Sequence, residues 1–195
     1  LCLYNYAAEY YWVGGSGNWT DINHWRTTSG GTLTPSVVPG STDNVYFDSN
    51  SGFTSSSKKL TLNTTGECKN ITFLGNTVAP EFIESGSQSL NIYGSSVWQS
   101  GMKVEISKIY YKNTNTAKTI RSNGVTTGKI NGSVNFEEDT TIDLLDDLII
   151  GNTLSLNAGT FNTKNNTVTI GFQFTTAGNT QKTINLGSSN IYMNG

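Results

Sequence analysis

Charge is scarce in this chain. Lysine and arginine number 12, aspartate and glutamate 14, and the formal net charge is −2. No basic block could neutralise a phosphate backbone and release its counterions, which excludes nucleic acid as a partner class. Long apolar runs are missing as well. None approaches the roughly 20 residues of a membrane helix, so no helical membrane insertion is expected. Cysteine occurs twice, too few for a disulfide framework. Cys2 and Cys68 either form one bridge, or Cys68 is a small buried residue and Cys2 lies in an unordered terminus. Helix patterning is also weak. Apolar residues seldom recur at i, i+3, i+4 and i+7 without an intervening Gly, Asn or Thr. The best window, "TIDLLDDLII" at 141–150, is short and rich in β-branched residues.

What remains is polar, small and aromatic. Gly, Ser, Thr and Asn fill about half the chain, far above ordinary globular usage. Aromatics reach 11%, which argues against disorder. Short alternating runs recur: Leu60-Thr61-Leu62, Ile71-Thr72-Phe73, Leu90-Asn91-Ile92, Leu154-Ser155-Leu156, Val168-Thr169-Ile170 and Ile184-Asn185-Leu186. Each puts two apolar residues on one face and is bounded by residues that tolerate turns. Such strands are too short to order in isolation and make sense when many stack. An antiparallel β-sandwich and a parallel β-solenoid both fit. Internal similarity favours the solenoid: "LNIYGSSVW" and "INLGSSNIYM" each pass from an alternating strand through Gly-Ser-Ser into another apolar strand.

The front of the chain differs. "YWVGGSGNWTDINHW" holds three of the four tryptophans and the only histidine. Residues 1–10 read as an amino-terminal extension with the look of a signal-peptide remnant, because Ala7-Ala8 resembles a small-residue cleavage region. Residues 11–50 read as an aromatic cap carrying a long loop with Pro35 and Pro39. Residues 51–195 read as coils. Solenoids need caps because an end coil exposes apolar interior and unpaired backbone.

The segments "YYWVGGSGNWTDINHW", "VPGSTDNVYFD" and "ECKNITFLG", with the later "LSLNAGTFNTKNNTVTIGFQF", resemble the amino-terminal regions of very large secreted surface proteins of Bacteroidota. These are similar to adhesins exported by the type IX secretion system, gliding-motility adhesins among them. The resemblance implies a right-handed parallel β-helix, export through the secretion machinery, display on the outer cell surface, and adhesion to surface glycans, neighbouring copies or other surface proteins.

Individual residues add little chemistry. His24 lacks the partners of a transition-metal site or a triad and reads as structural. Trp19 and Trp25 read as cap residues, and Trp12 as the one candidate for stacking on a sugar ring. The acidic run Glu137, Glu138, Asp139, Asp143, Asp146 and Asp147 reads as a solvated face; calcium would suit it but no calcium-loop pattern is present. Asp43, Asn44 and Asp48 read as turn formers. Asp146-Asp147 resembles the adjacent pair of pectin hydrolases, without their Gly-His-Gly and Arg-Ile-Lys elements. Asp139-Thr140-Thr141 resembles a short O-glycosylation motif, with Thr140 as the acceptor. The expectation is a non-catalytic surface adhesin or filament component without a cofactor. A polysaccharide-active or glycan-binding β-helix is the alternative.

Overall fold

The computed structural model describes residues 7–112, 116–128, 132–137 and 140–194. The chain opens with β1 (Glu9–Trp12) and β2 (Gly17–Asn18), then a 3-10 turn at Ile22–His24 and β3 (Trp25–Arg26). Triplets of strands follow. They are β4 (Asn44–Phe47), β5 (Lys59–Leu62) and β6 (Gly66–Cys68); β7 (Asn70–Phe73), β8 (Glu81–Glu84) and β9 (Ser89–Ile92); β10 (Ser96–Val97), β11 (Lys103–Glu105) and β12 (Lys108–Tyr111). Next come β13 (Lys118–Arg121), β14 (Thr126–Thr127) and β15 (Ser133–Phe136); β16 (Thr141–Leu144), β17 (Leu148–Ile150) and β18 (Thr153–Leu156). The last are β19 (Gly159–Asn162), β20 (Val168–Ile170) and β21 (Gln173–Thr175), then β22 (Lys182–Asn185) and β23 (Ile191–Met193).

Each triplet is one coil, and about six coils stack into a parallel β-helix. Face A takes the first strand of every coil, running β22-β19-β16-β13-β10-β7-β4-β1-β3. Face C takes the third strand, β21-β18-β15-β12-β9-β6. Face B takes the second strand but is built in two parts, β11-β8-β5-β2 and β14-β17-β20-β23. Among the described residues every strand pairing is parallel except β1 with β3, which rules out the antiparallel sandwich.

The alternation read from the sequence sets which side chains enter. On face A, Tyr10, Val45 and Ile71 stand in register and are buried, as are Ile109, Val134 and Leu154 on face C. Parallel strands lie about 4.8 Å apart, so like side chains stack directly. Phe47 and Phe73 show this best: their rings are 4.1 Å apart and 6° from parallel. Residues 141–150, the best helical window, are β16 and β17 with Asp146-Asp147 on the corner between them. Where coils touch corner to corner, side chains must vanish: a Cβ on Gly171 would overlap the Gly151 carbonyl below it. At the last coil Ile184, Ile191 and Met193 are exposed, whereas Phe161, Val168 and Ile170 one coil earlier are buried.

The boundary drawn at residue 50 shifts. β1 and β2 already belong to faces A and B, and β4 begins a full coil at Asn44. Cys68 is a free thiol buried in the core; Cys2 lies outside the described residues.

Candidate functional site

The amino-terminal tryptophans form one buried cluster. Trp12 and Trp25 meet edge to face at 5.0 Å, and Trp19 and Trp25 do so at 5.1 Å. Edge-to-face contact suits rings whose rims are positive and faces negative. Two of the indole N–H groups are satisfied within the cap: Trp12 Nε1 donates to the Gly15 carbonyl at 2.7 Å, and Trp25 Nε1 to the Trp19 carbonyl at 2.9 Å. Trp19 stacks on Phe82 and Trp12 leans on Phe47, so the cluster seals the end of the aromatic column Phe47–Phe73–Trp98. Trp19 and Trp25 both lie inside this buried cluster.

Trp12 requires a correction. Its side chain is 0% exposed and cannot offer a face to a sugar. His24 covers it, with rings 4.5 Å apart and 8° from parallel. His24 Nδ1 lies 2.6 Å from the Val13 carbonyl, and Nε2 lies 3.8 Å from Asp21. Gly17 leaves room for the imidazole, since a Cβ there would overlap Nε2. His24 is thus a structural residue that closes the cap.

Thr140 also requires a correction. It is 3% exposed, and its hydroxyl accepts a hydrogen bond from the buried Lys118 ammonium at 2.8 Å. A glycosyl transfer to Oγ1 needs an accessible hydroxyl, so Thr140 is no acceptor in this fold. Asp139 and Glu138 lie outside the described residues.

The carboxylates of the acidic run hold corners. Asp146 accepts the backbone N–H groups of Ser122 and Asn123, both at 2.7 Å, tying one coil to the one before it. Asp147 accepts the Thr167 N–H at 2.7 Å and ties its coil to the next. The pair thus points in opposite directions along the stack, which does not suit two carboxylates converging on one glycosidic bond. Asp43 and Asp48 form turns, accepting from Gly40 N–H and Asn50 N–H, whereas Asn44 opens strand β4 rather than a turn. Among the described residues no group of three or more His, Cys, Asp or Glu is placed to hold a metal ion.

The most extended feature was not singled out in the sequence. One outward row of face A is polar in every coil: Glu9, Asn44, Asn70, Ser95, Thr119, Asp143, Asn162 and Asn185. Asn44 donates to Glu9 at 2.8 Å and Asn70 to Asn44 at 2.7 Å. Ser95 N–H donates to Asn70, and Thr119 N–H to the Ser95 hydroxyl. The second run starts again from a carboxylate: Asn162 donates to Asp143 at 2.5 Å and Asn185 to Asn162 at 2.6 Å. Each run has an acceptor-only group at its start and amides donating back toward it, so every amide dipole aligns. Beside this row stand Tyr11 and Tyr46, stacked at 4.8 Å, and farther along Thr141, Thr160 and Thr183 in register. The threonines border a shallow groove of about 290 Å³. Burial pushes the Tyr46 phenol up, and its bond to Glu9 adds to the shift. The repeated triplets "TID", "TFN" and "TIN" at 141, 160 and 183 carry the signal for this face.

Compared with protein-family models, curated proteins and solved structures, the chain matches none.

Proposed function

We propose that the chain is a non-catalytic, secreted surface adhesin or surface-filament component, working through the extended outer face of its coils. The observation that carries this reading is the polar row of face A, which runs from Glu9 to Asn185 through every coil. A row cross-linked by its own side chains presents hydroxyls and amides at fixed spacing. Each contact to such a face is weak, but contacts made from one rigid support add through effective concentration. Hydroxyl-rich glycans, or the like face of a neighbouring copy, offer matching hydrogen-bonding groups. Outer-surface display after export belongs to the same reading and rests on the resemblance of the amino-terminal motifs to exported adhesins.

The test is binding of the labelled chain to a panel of immobilised neutral and acidic polysaccharides and to a surface coated with the chain itself. Saturable binding that survives Thr160→Ala and is lost in the Thr141→Ala/Thr160→Ala/Thr183→Ala triple variant supports the reading. Release of shortened products, abolished in Asp146→Asn, would replace it with a polysaccharide-active enzyme.

A further inference from the structure

Faces A and C are laddered without interruption at the level of the third and fourth coils: β10 pairs with β13, and β12 with β15. Face B is not. β11 and β14 lie side by side, yet no backbone hydrogen bond joins them among the described residues, and each belongs to a separate sheet. A groove of about 320 Å³ opens along the break, with Met102, Val104, Val125 and Thr126 in its walls.

The period of a strand identifies the groups that face the break. Successive residues send their backbone N–H and C=O to opposite neighbours in a parallel sheet. Lys103 N–H bonds the Pro80 carbonyl, so Lys103 faces β8 and Val104 faces β14. The Thr127 carbonyl accepts from Gly151, so Thr127 faces β17 and Thr126 faces β11. Val104 and Thr126 thus meet across the break without a ladder bond.

Three further features coincide there. Gly101, Gly124 and Gly128 flank the two strands, all with positive φ, a conformation glycine adopts without steric cost. Among the described residues the Thr127 hydroxyl in β14 is buried without a hydrogen-bond partner. The corner leading into β14 is held from both sides, by Asp146 on Ser122 and Asn123 and by the Asn123 amide donating to the Trp98 carbonyl at 2.6 Å, so the break is confined to the strands themselves.

From these we infer that the β-helix contains a compliant seam on face B between β11 and β14. The stack is two rigid blocks joined through faces A and C, and it yields by opening at the seam about the opposite corner, where face C turns into face A. A full strand cannot enter between neighbours this close, so the seam is a mechanical element rather than a strand-docking slot. On the reading of the chain as a surface adhesin, the seam sets the level at which the stack flexes under bending load.

Residue-resolved hydrogen exchange on the whole chain tests this. Amides at the seam should open locally, well below the free energy of global unfolding. The Val104 and Thr126 amides are expected to exchange at least about ten-fold faster than Ile83 and Ile149 on the same face, and faster than Ile109 and Ile120 on faces C and A. Their exchange should also be insensitive to low urea, which marks small openings. Equal protection across face B, or seam exchange that follows the urea dependence of global unfolding, overturns the inference.

Discussion

The His24 imidazole lies flat on the Trp12 indole, 4.5 Å away and 8° from parallel, and so closes the amino-terminal end of the core. The stack joins β1 to the 3-10 turn, beside the bond from the Val13 N–H to the His24 carbonyl at 2.8 Å. His24→Ala is therefore expected to cost about 1–2 kcal/mol, from one ring stack and one hydrogen bond. Urea unfolding reads the stability, and acrylamide quenching reads the newly exposed indole. Gly17→Ala should reproduce both effects, because its Cβ would displace the imidazole. Unchanged quenching in both variants would show that His24 does not shield Trp12.

Asp146 acts as a cap between coils. Its two oxygens take the N–H groups of Ser122 and Asn123, and Asn123 holds a positive φ that leaves its amide without a strand partner. Asp146→Ala is expected to cost about 2 kcal/mol, in the range of a lost helix cap or a charged hydrogen bond. Asp146→Asn retains one acceptor oxygen and should cost less. Thermal unfolding of the two variants checks the order; equal losses would mean that the charge, not the geometry, is what matters.

The amide chain on face A predicts a pH-dependent defect. Asn162 donates to Asp143 at 2.5 Å. Asn162→Asp removes the donor and sets two carboxylates against each other. Lys164, 3.1 Å from the other Asp143 oxygen, offsets only part of the repulsion. One of the pair must then titrate above its unfolded value. The unfolded state releases that proton more readily, so the variant loses stability relative to the parent as pH rises through the carboxylate range and regains it at acid pH. Denaturant midpoints for both proteins from pH 3 to 8 test the sign. A constant difference across that range would be evidence against the ladder.

Much of the fold was legible because each strand is self-describing. Leu60-Thr61-Leu62 and Val168-Thr169-Ile170 announce an inward face without reference to any neighbour. The cap was legible for a similar reason: glycines around three tryptophans leave few other uses for such large side chains. The ladder was not legible, since it depends on register between coils. The step from one rung to the next is 35 residues at Glu9–Asn44, 26 at Asn44–Asn70, 19 at Asp143–Asn162 and 23 at Asn162–Asn185. No fixed period aligns those residues. Trp12 was misread because its cover, His24, is supplied by the turn after β2, a contact that spacing alone does not reveal.

The buried acids of the core predict how the protein fails in alkali. Burial pushes the Tyr111 phenol up, more strongly than its bonds to the Ser96 hydroxyl, at 2.6 Å, and to Trp98 pull it down. Burial likewise pushes up the Cys68 thiol, helped by the nearby Glu67 carboxylate. In each case the folded state holds a proton that the unfolded state gives up, first at about pH 8.5 for the thiol and then at about pH 10 for the phenol. Stability is therefore fully present below those values and declines as pH rises through them. Urea midpoints at pH 7, 9 and 10.5 should fall in that order. Tyr111→Phe should lose about 1 kcal/mol at pH 7, where Ser96 is left without its partner, yet decline less steeply above pH 10. Parallel curves for parent and variant would remove Tyr111 from the alkaline transition and leave Cys68 and the half-buried Tyr46 to account for it.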